Sequence, residues 1–209
     1  MGQPKFLYLM KRIPKLLLVA AMFVAPMFVN AQKIKVLEGD LSQLKGTTKL
    51  NTEFDYEHVG VGSYADENDY IAKKSEAYNK KEPGRGDKWA KAWRDDRPKR
   101  FEPKFNELFT EYSGMSAGKY PKAKYTLIFK TTFIEPGYNV GVTRKNARLN
   151  GEAWIVETGD HSKVIAKIKV DKAPGRVYGG FDFDTGVRIQ EAYAAAAKAM
   201  AKKIKKKTK

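Results

Sequence analysis

The sequence predicts an α+β domain: an antiparallel sheet of four to six strands, a carboxyl-terminal helix packed on one face, and a helical insertion at about residues 65–112. Three observations carry this. Tyr125, Leu127, Phe129, Thr131 and Phe133 alternate with Thr126, Ile128, Lys130 and Thr132, the period of two that marks a strand with one buried face. Ala147 to Glu157 and Lys163 to Val170 alternate likewise, with Val164, Ala166, Ile168 and Val170 opposite Lys163, Lys167 and Lys169, so these runs read as an antiparallel meander. A sheet with one apolar face must be covered. Thr185 to Ile204 supplies the cover, because Ile189, Tyr193, Ala196, Met200 and Ile204 form one stripe at helical spacing.

The amino terminus speaks to compartment. Lys5, Lys11, Arg12 and Lys15 precede the apolar run Leu16 to Val29, and Val29-Asn30-Ala31 places short residues where a signal peptidase needs them. The run is about 14 residues against the roughly 20 of a membrane span, and Pro26 interrupts it. Residues 1–31 therefore read as a signal peptide cleaved after Ala31, and residues 32–209 as a single exported domain, periplasmic, envelope-associated or secreted. The sequence has no cysteine, so disulfides, thiolate metal sites and a lipid-modified cysteine anchor are not expected. Residues 1–31 carry four basic and no acidic side chains, so residues 32–209 keep +12 of the formal +16. Outside the cytoplasm such a charge favours anionic neighbours: an envelope component, an acidic protein or membrane headgroups in peripheral contact. Nucleic acid is not an expected partner, since export removes the chain from it and no base-reading motif appears.

In order, Lys33 to Leu37 reads as an edge strand guarded by lysines, turned by Glu38-Gly39-Asp40. Leu50, Thr52, Phe54, Tyr56 and His58 fall on one face of a second strand, broken at Gly60 and Gly62. From Ala65 to Lys80 acidic residues come first and lysines last, the order that complements a helix dipole, and Pro83-Gly84 ends it. Asp87 is a candidate cap for a second helix carrying Trp89 and Trp93, which stops before Pro98, and Pro103 opens a third with Phe105 and Phe109. Gly114 to Tyr120 reads as a flexible linker. Tyr138 to Thr143 can resume the strand interrupted at Pro136. Asn150-Gly151 fits a bulge within one strand as well as a hairpin. The tail Lys202 to Lys209 is lysine-rich and reads as frayed and solvated.

The runs Val36-Leu37-Glu38-Gly39-Asp40, Phe54-Asp55-Tyr56, Asp69-Tyr70-Ile71, Gly86-Asp87-Lys88-Trp89 and Phe101-Glu102-Pro103-Lys104-Phe105 resemble a family of uncharacterised secreted proteins of Bacteroides-like bacteria. More remotely, the carboxyl half, with Arg188, Ala192 and Ala196 on its helix, resembles small α+β domains of envelope lipoproteins of unknown function. The resemblance implies a fold and a compartment and assigns no chemistry.

Raw material for catalysis is thin. His58 and His161 are the only imidazoles, and neither has a second histidine at metal-binding spacing, so no metal and no cofactor is expected. Asp182 and Asp184, with His58, are the acid and base candidates for a hydrolase acting on an envelope polymer or glycan, although Asp184 at a helix start is better accounted for as a cap. The binding candidates are Trp89 and Trp93 with Arg94, Arg97 and Arg100, since aromatics among basic residues can stack on sugar rings or pack on an acidic partner. Helical spacing also explains these aromatics as core. The sequence favours a non-enzymatic binding or assembly role through a basic surface. A hydrolase or a glycan-binding module is the alternative.

Overall fold

A computed structural model describes residues 32–176 and 184–209. The leader and Asp182 lie outside the described residues. The strands are β1 (Lys33–Gly39), β2 (Lys49–Asp55), β3 (Gly60–Val61), β4 (Ser116–Gly118), β5 (Tyr125–Glu135), β6 (Tyr138–Asn139), β7 (Arg144–Lys145), β8 (Ala147–Glu157) and β9 (Asp160–Gly175). The helices are α1 (Glu67–Asn79), α2 (Arg85–Asp96), α3 (Glu102–Ser113) and α4 (Thr185–Thr208). The α+β class, the helical insertion and the helix-covered sheet face match the sequence reading.

The period-two runs form the centre of a sheet ordered β1-β9-β8-β5-β2-β4, with β3 pairing β5 beyond the end of β2. Register places Leu127 opposite Ile155 and Phe129 opposite Ala153, while Ala153 faces Ile168 and Ile155 faces Ala166 on the other side. All six are fully buried on one face. Over them lies α4, whose Ile189, Tyr193, Ala196, Met200 and Ile204 are also buried. Its alanines favour the helix intrinsically and let its axis approach the strands closely. Alongside, α3 contributes Phe105 and Phe109, and Phe129 meets Phe105 at 5.0 Å and Tyr193 at 5.9 Å between ring centroids. Arg188, also buried, gives its Nε–H to the Pro136 carbonyl at 3.3 Å and an NH2 hydrogen to Thr185 Oγ1 at 2.9 Å, fixing the start of α4 on the loop after β5.

The sheet is mixed and has seven strands rather than four to six antiparallel ones. β2 runs parallel to β5, from Asn51 opposite Thr126 to Asp55 opposite Lys130, and β4 runs parallel to β2. The insertion is the cause: α1 to α3 return the chain to the end from which β2 started, and parallel neighbours require such a crossover. Gly114 to Tyr120, expected as a linker, contains the edge strand β4. Tyr138 to Thr143 leaves the main sheet, and among the described residues β6 pairs only with β7. β2 ends at Asp55, so His58 is exposed in a turn rather than on a strand face.

Within the insertion, Asp66 caps α1 by accepting from the Asn68 amide. The cap of α2 is Gly84 at φ 78°, not Asp87, which sits in the first turn. Gly86 explains the shift. Its amide donates to Asn79 Oδ1 at 2.7 Å and its Cα lies against the Ser75 carbonyl, so α2 starts where it touches α1. Arg97–Phe101 forms a π-helical turn that carries α2 into α3.

Candidate functional site

At 24 residues α4 is about 36 Å long, so its two ends are well separated. Three of the sequence candidates, Trp89, Trp93 and Asp184, gather at its amino end. There Tyr78, Trp89, Trp93, Asp96, Asp184 and Gly186 help line a groove of about 290 Å³. Arg100 joins these two carboxylates, with Nε 3.1 Å from Asp96 Oδ1 and NH1 2.7 Å from Asp184 Oδ2. Asp184 caps α4, accepting from the Gly186 amide at 2.8 Å and the Val187 amide at 3.4 Å. Burial raises the Asp96 carboxyl above its usual range, and the Asp184 charge adds to this against the pull of Arg100. At Asp184 burial acts in the same direction but is outweighed by Arg100 and the two capping amides, so its carboxyl is held below the usual range.

Of the five binding candidates, Trp89 and Trp93 line this groove, and Arg100 pairs with two carboxylates that line it. Both indoles also serve the interior of the insertion: Trp93 lies 5.2 Å from the Tyr70 ring, and Trp89 lies 5.8 Å from Tyr70 and 5.7 Å from Tyr78. Burial pushes the Tyr70 hydroxyl up to about 12. Trp93 donates its indole N–H to Glu67 at 2.8 Å. Arg97 is turned inward, pairing with the same Glu67 and lying 4.1 Å from the centroid of Tyr56. Arg94 is on the surface, where it reaches Asn68 at 3.4 Å. His58 is not among the residues lining the groove; it stands beside Asp55, whose carboxyl is held down by the Lys130 hydrogen bond and charge despite burial. Among the described residues, the acid and base candidates therefore do not form one cluster.

The opposite end is different in chemistry. Asp40 caps the 3-10 turn Leu41–Leu44 and feels the charge of Lys207, so the carboxyl end of α4 stands beside that turn. Leu41 and Leu44 are buried there. The chain after the turn and the loop before β5 enclose a cleft of about 410 Å³, whose lining includes Lys45, Lys49, Lys122 and Lys124 and, among the described residues, no acidic one. A second hollow of about 380 Å³, lined by Lys119, Tyr120 and Pro121, shares Lys49, Lys122 and Ala123 with the first.

Several lysines elsewhere are matched to carboxylates. Lys130 pairs with Asp55 at 2.7 Å, Lys167 with Glu38 at 3.0 Å, Lys163 with Glu157 at 3.2 Å, and Lys91 and Lys99 share Asp95, whose carboxyl their hydrogen bonds draw down to about 2. On the open sheet face Trp154 sits between Lys130 and Lys167, 4.9 and 4.4 Å from its ring. Lys45, Lys49 and Lys122 form no such ion pair with a described residue. Sequence reasoning did not single out this cluster, because its lysines come from segments more than 70 positions apart; the density of lysine from Lys119 to Lys124 was the available signal.

No protein-family model matches the chain, and no curated protein matches it. Among solved structures it is similar to the PelC dodecamer from Paraburkholderia phytofirmans, at 10% identity and a TM-score of 0.38, covering 83% of this chain and 95% of that one. A point-substituted PelC dodecamer from the same organism is similar at 11% identity and a TM-score of 0.40, covering 82% of this chain and 97% of that one. Likeness this slight assigns neither function nor assembly.

Proposed function

We propose that this chain is an exported, non-enzymatic binding or assembly protein of the cell envelope that docks an anionic partner on its lysine-rich end. The observation that carries the reading is the gathering of Lys45, Lys49 and Lys122 around one cleft without an ion pair to a described residue, whereas Lys130 and Lys167 on the sheet face and Lys91 and Lys99 of the insertion are held by carboxylates. Their fields add, and a cleft walled by low-dielectric protein concentrates them. The leader-like residues 1–31 support the compartment. Capture of envelope components by the purified protein at low salt, released as salt approaches about 1 M where screening acts within roughly 3 Å, is the expected result. Capture unaffected by salt and by Lys45→Glu with Lys122→Glu would defeat it. Sequencing the first residue of the exported product checks the leader, and retention of Met1 would refute cleavage after Ala31.

A second reading, a glycan-binding module, has one observation in its favour. Trp89 is only partly buried and lines the groove at the amino end of α4. Loss of glycan retention in Trp89→Ala, with Lys122→Glu unchanged, would favour that groove over the lysine-rich end.

A further inference from the structure

The two hollows at the lysine-rich end form one run, because Lys49, Lys122 and Ala123 border both. Tyr120 is the aromatic side chain lining the second hollow, and it belongs neither to the hydrophobic core nor to the residues packed around it. Its position is nonetheless fixed. The Tyr120 amide donates to Asn51 Oδ1 at 2.9 Å, and the Ala123 amide closes a turn on the Tyr120 carbonyl at 2.8 Å, with Pro121 supplying the preset φ such a turn requires. Asn51 is buried, and its amide donates to Thr126 at 3.1 Å and Glu53 at 3.2 Å, so the loop is tied to β2 and β5. Gly118 underlies the ring, where a Cβ would approach Tyr120 Cε2 to 3.4 Å. Lys49 holds its ammonium 5.6 Å from the ring centroid. A fixed, half-buried aromatic ring is thus set among uncompensated ammonium groups, with Thr47 and Thr48 adding hydroxyls along the first hollow.

We infer that the partner of this end is an acidic polysaccharide, with a sugar ring laid on Tyr120 and its carboxylates met by Lys49, Lys122 and Lys45. The inference rests on the docking reading above and names its ligand. A polyanion without rings would use the lysines and leave the ordered Tyr120 idle, whereas a pyranose presents a C–H face to an aromatic ring and a carboxylate to an ammonium. A lipid surface offers charge to protruding groups but not to a cleft between two loops.

The test compares polygalacturonate, inorganic polyphosphate and vesicles of phosphatidylglycerol as ligands of the full exported protein. Tyr120→Ala should weaken polygalacturonate binding about tenfold and leave polyphosphate binding within about twofold, while Tyr120→Phe retains polygalacturonate binding. Lys49→Gln with Lys122→Gln should weaken both polymers. Equal sensitivity of the two polymers to Tyr120→Ala, or insensitivity of both, overturns the polysaccharide and leaves the docking surface standing. Tighter binding to the vesicles than to polygalacturonate overturns it in favour of a membrane. Failure of all three ligands to bind overturns the docking reading as well.

Discussion

Arg100 NH1 lies 2.7 Å from Asp184 Oδ2, joining the turn after α2 to the cap of α4 across 84 positions of sequence. The same guanidinium holds Asp96 at 3.1 Å, so one cation ties the insertion to the helix that covers the sheet. Gly186 makes the approach possible, since a Cβ there would run into the Asp96 carboxylate. The two carboxyls are shifted in opposite directions, and each direction has a consequence for stability.

Asp184, held below its ordinary value of 3.8, contributes stability that is present above that value and is lost as pH falls through its lower folded value. Asp96, raised by burial, has the opposite sign: its contribution is present below 3.8 and is lost as pH rises through its higher folded value. Asp184→Asn should therefore lower the unfolding free energy measured in urea at neutral pH, by about 1 kcal/mol or less because the pair is partly exposed, and flatten the acid limb. Asp96→Asn should leave neutral stability nearly unchanged. Equal losses from the two substitutions would contradict the assignment.

Glu67 is the acceptor for both the Trp93 indole and the Arg97 guanidinium, with side-chain exposures of 10% for Glu67 and 18% for Arg97. Glu67→Ala leaves a nearly buried cation and an unsatisfied indole N–H. Breaking such a pair costs about 3–5 kcal/mol. Adding Arg97→Met removes the stranded charge, so the double variant should be more stable than Glu67→Ala alone. Urea unfolding followed by tryptophan fluorescence measures both, and additive losses would contradict the coupling.

Gly86 is where α1 and α2 touch. A Cβ at this position collides with the Ser75 carbonyl, which is backbone and cannot swing away. Gly86→Ala should cost about 1–3 kcal/mol through overpacking. Gly159→Ala, at an open position, is the comparison and should change little. Equal melting temperatures for the two variants would show that the helices separate freely.

Much of this architecture was legible because the apolar pattern is strictly periodic where one face is buried. Leu127 and Phe129 on β5, Ala166 and Ile168 on β9, and Ile189 and Tyr193 on α4 all show it. Strand direction was not legible: nothing local to Asn51–Asp55 records that three helices intervene before its partner, and pairing direction follows from that crossover. β4 was hidden for another reason. Ser116-Ala117-Gly118 has no alternation to read, and it becomes a strand through its position beside β2. The groove candidates were partly legible because Trp89, Trp93 and Arg100 are near in sequence, whereas Asp184 joins them only through α4. The lysine-rich cleft was not, since Lys45 and Lys122 are brought together by the parallel pairing of β2 with β5.

Unmatched and matched lysines should respond oppositely to neutralisation. Lys122 sits among like charges, and removing its charge relieves repulsion; Lys122→Gln should leave stability unchanged or raise it by a few tenths of a kcal/mol, with the gain shrinking as salt is added. Lys167 instead pairs with Glu38 at 3.0 Å and lies 4.4 Å from the Trp154 ring. Lys167→Gln should lose about 0.5–1 kcal/mol. Thermal melts of both variants at low and high salt read the difference in sign. A destabilised Lys122→Gln would mean that the ammonium has a structural partner and that the cleft is not built at the expense of stability. A docking surface built in this way keeps like charges together in the absence of its ligand, so an anion that occupies the cleft should raise the melting temperature of the natural sequence more than that of Lys122→Gln.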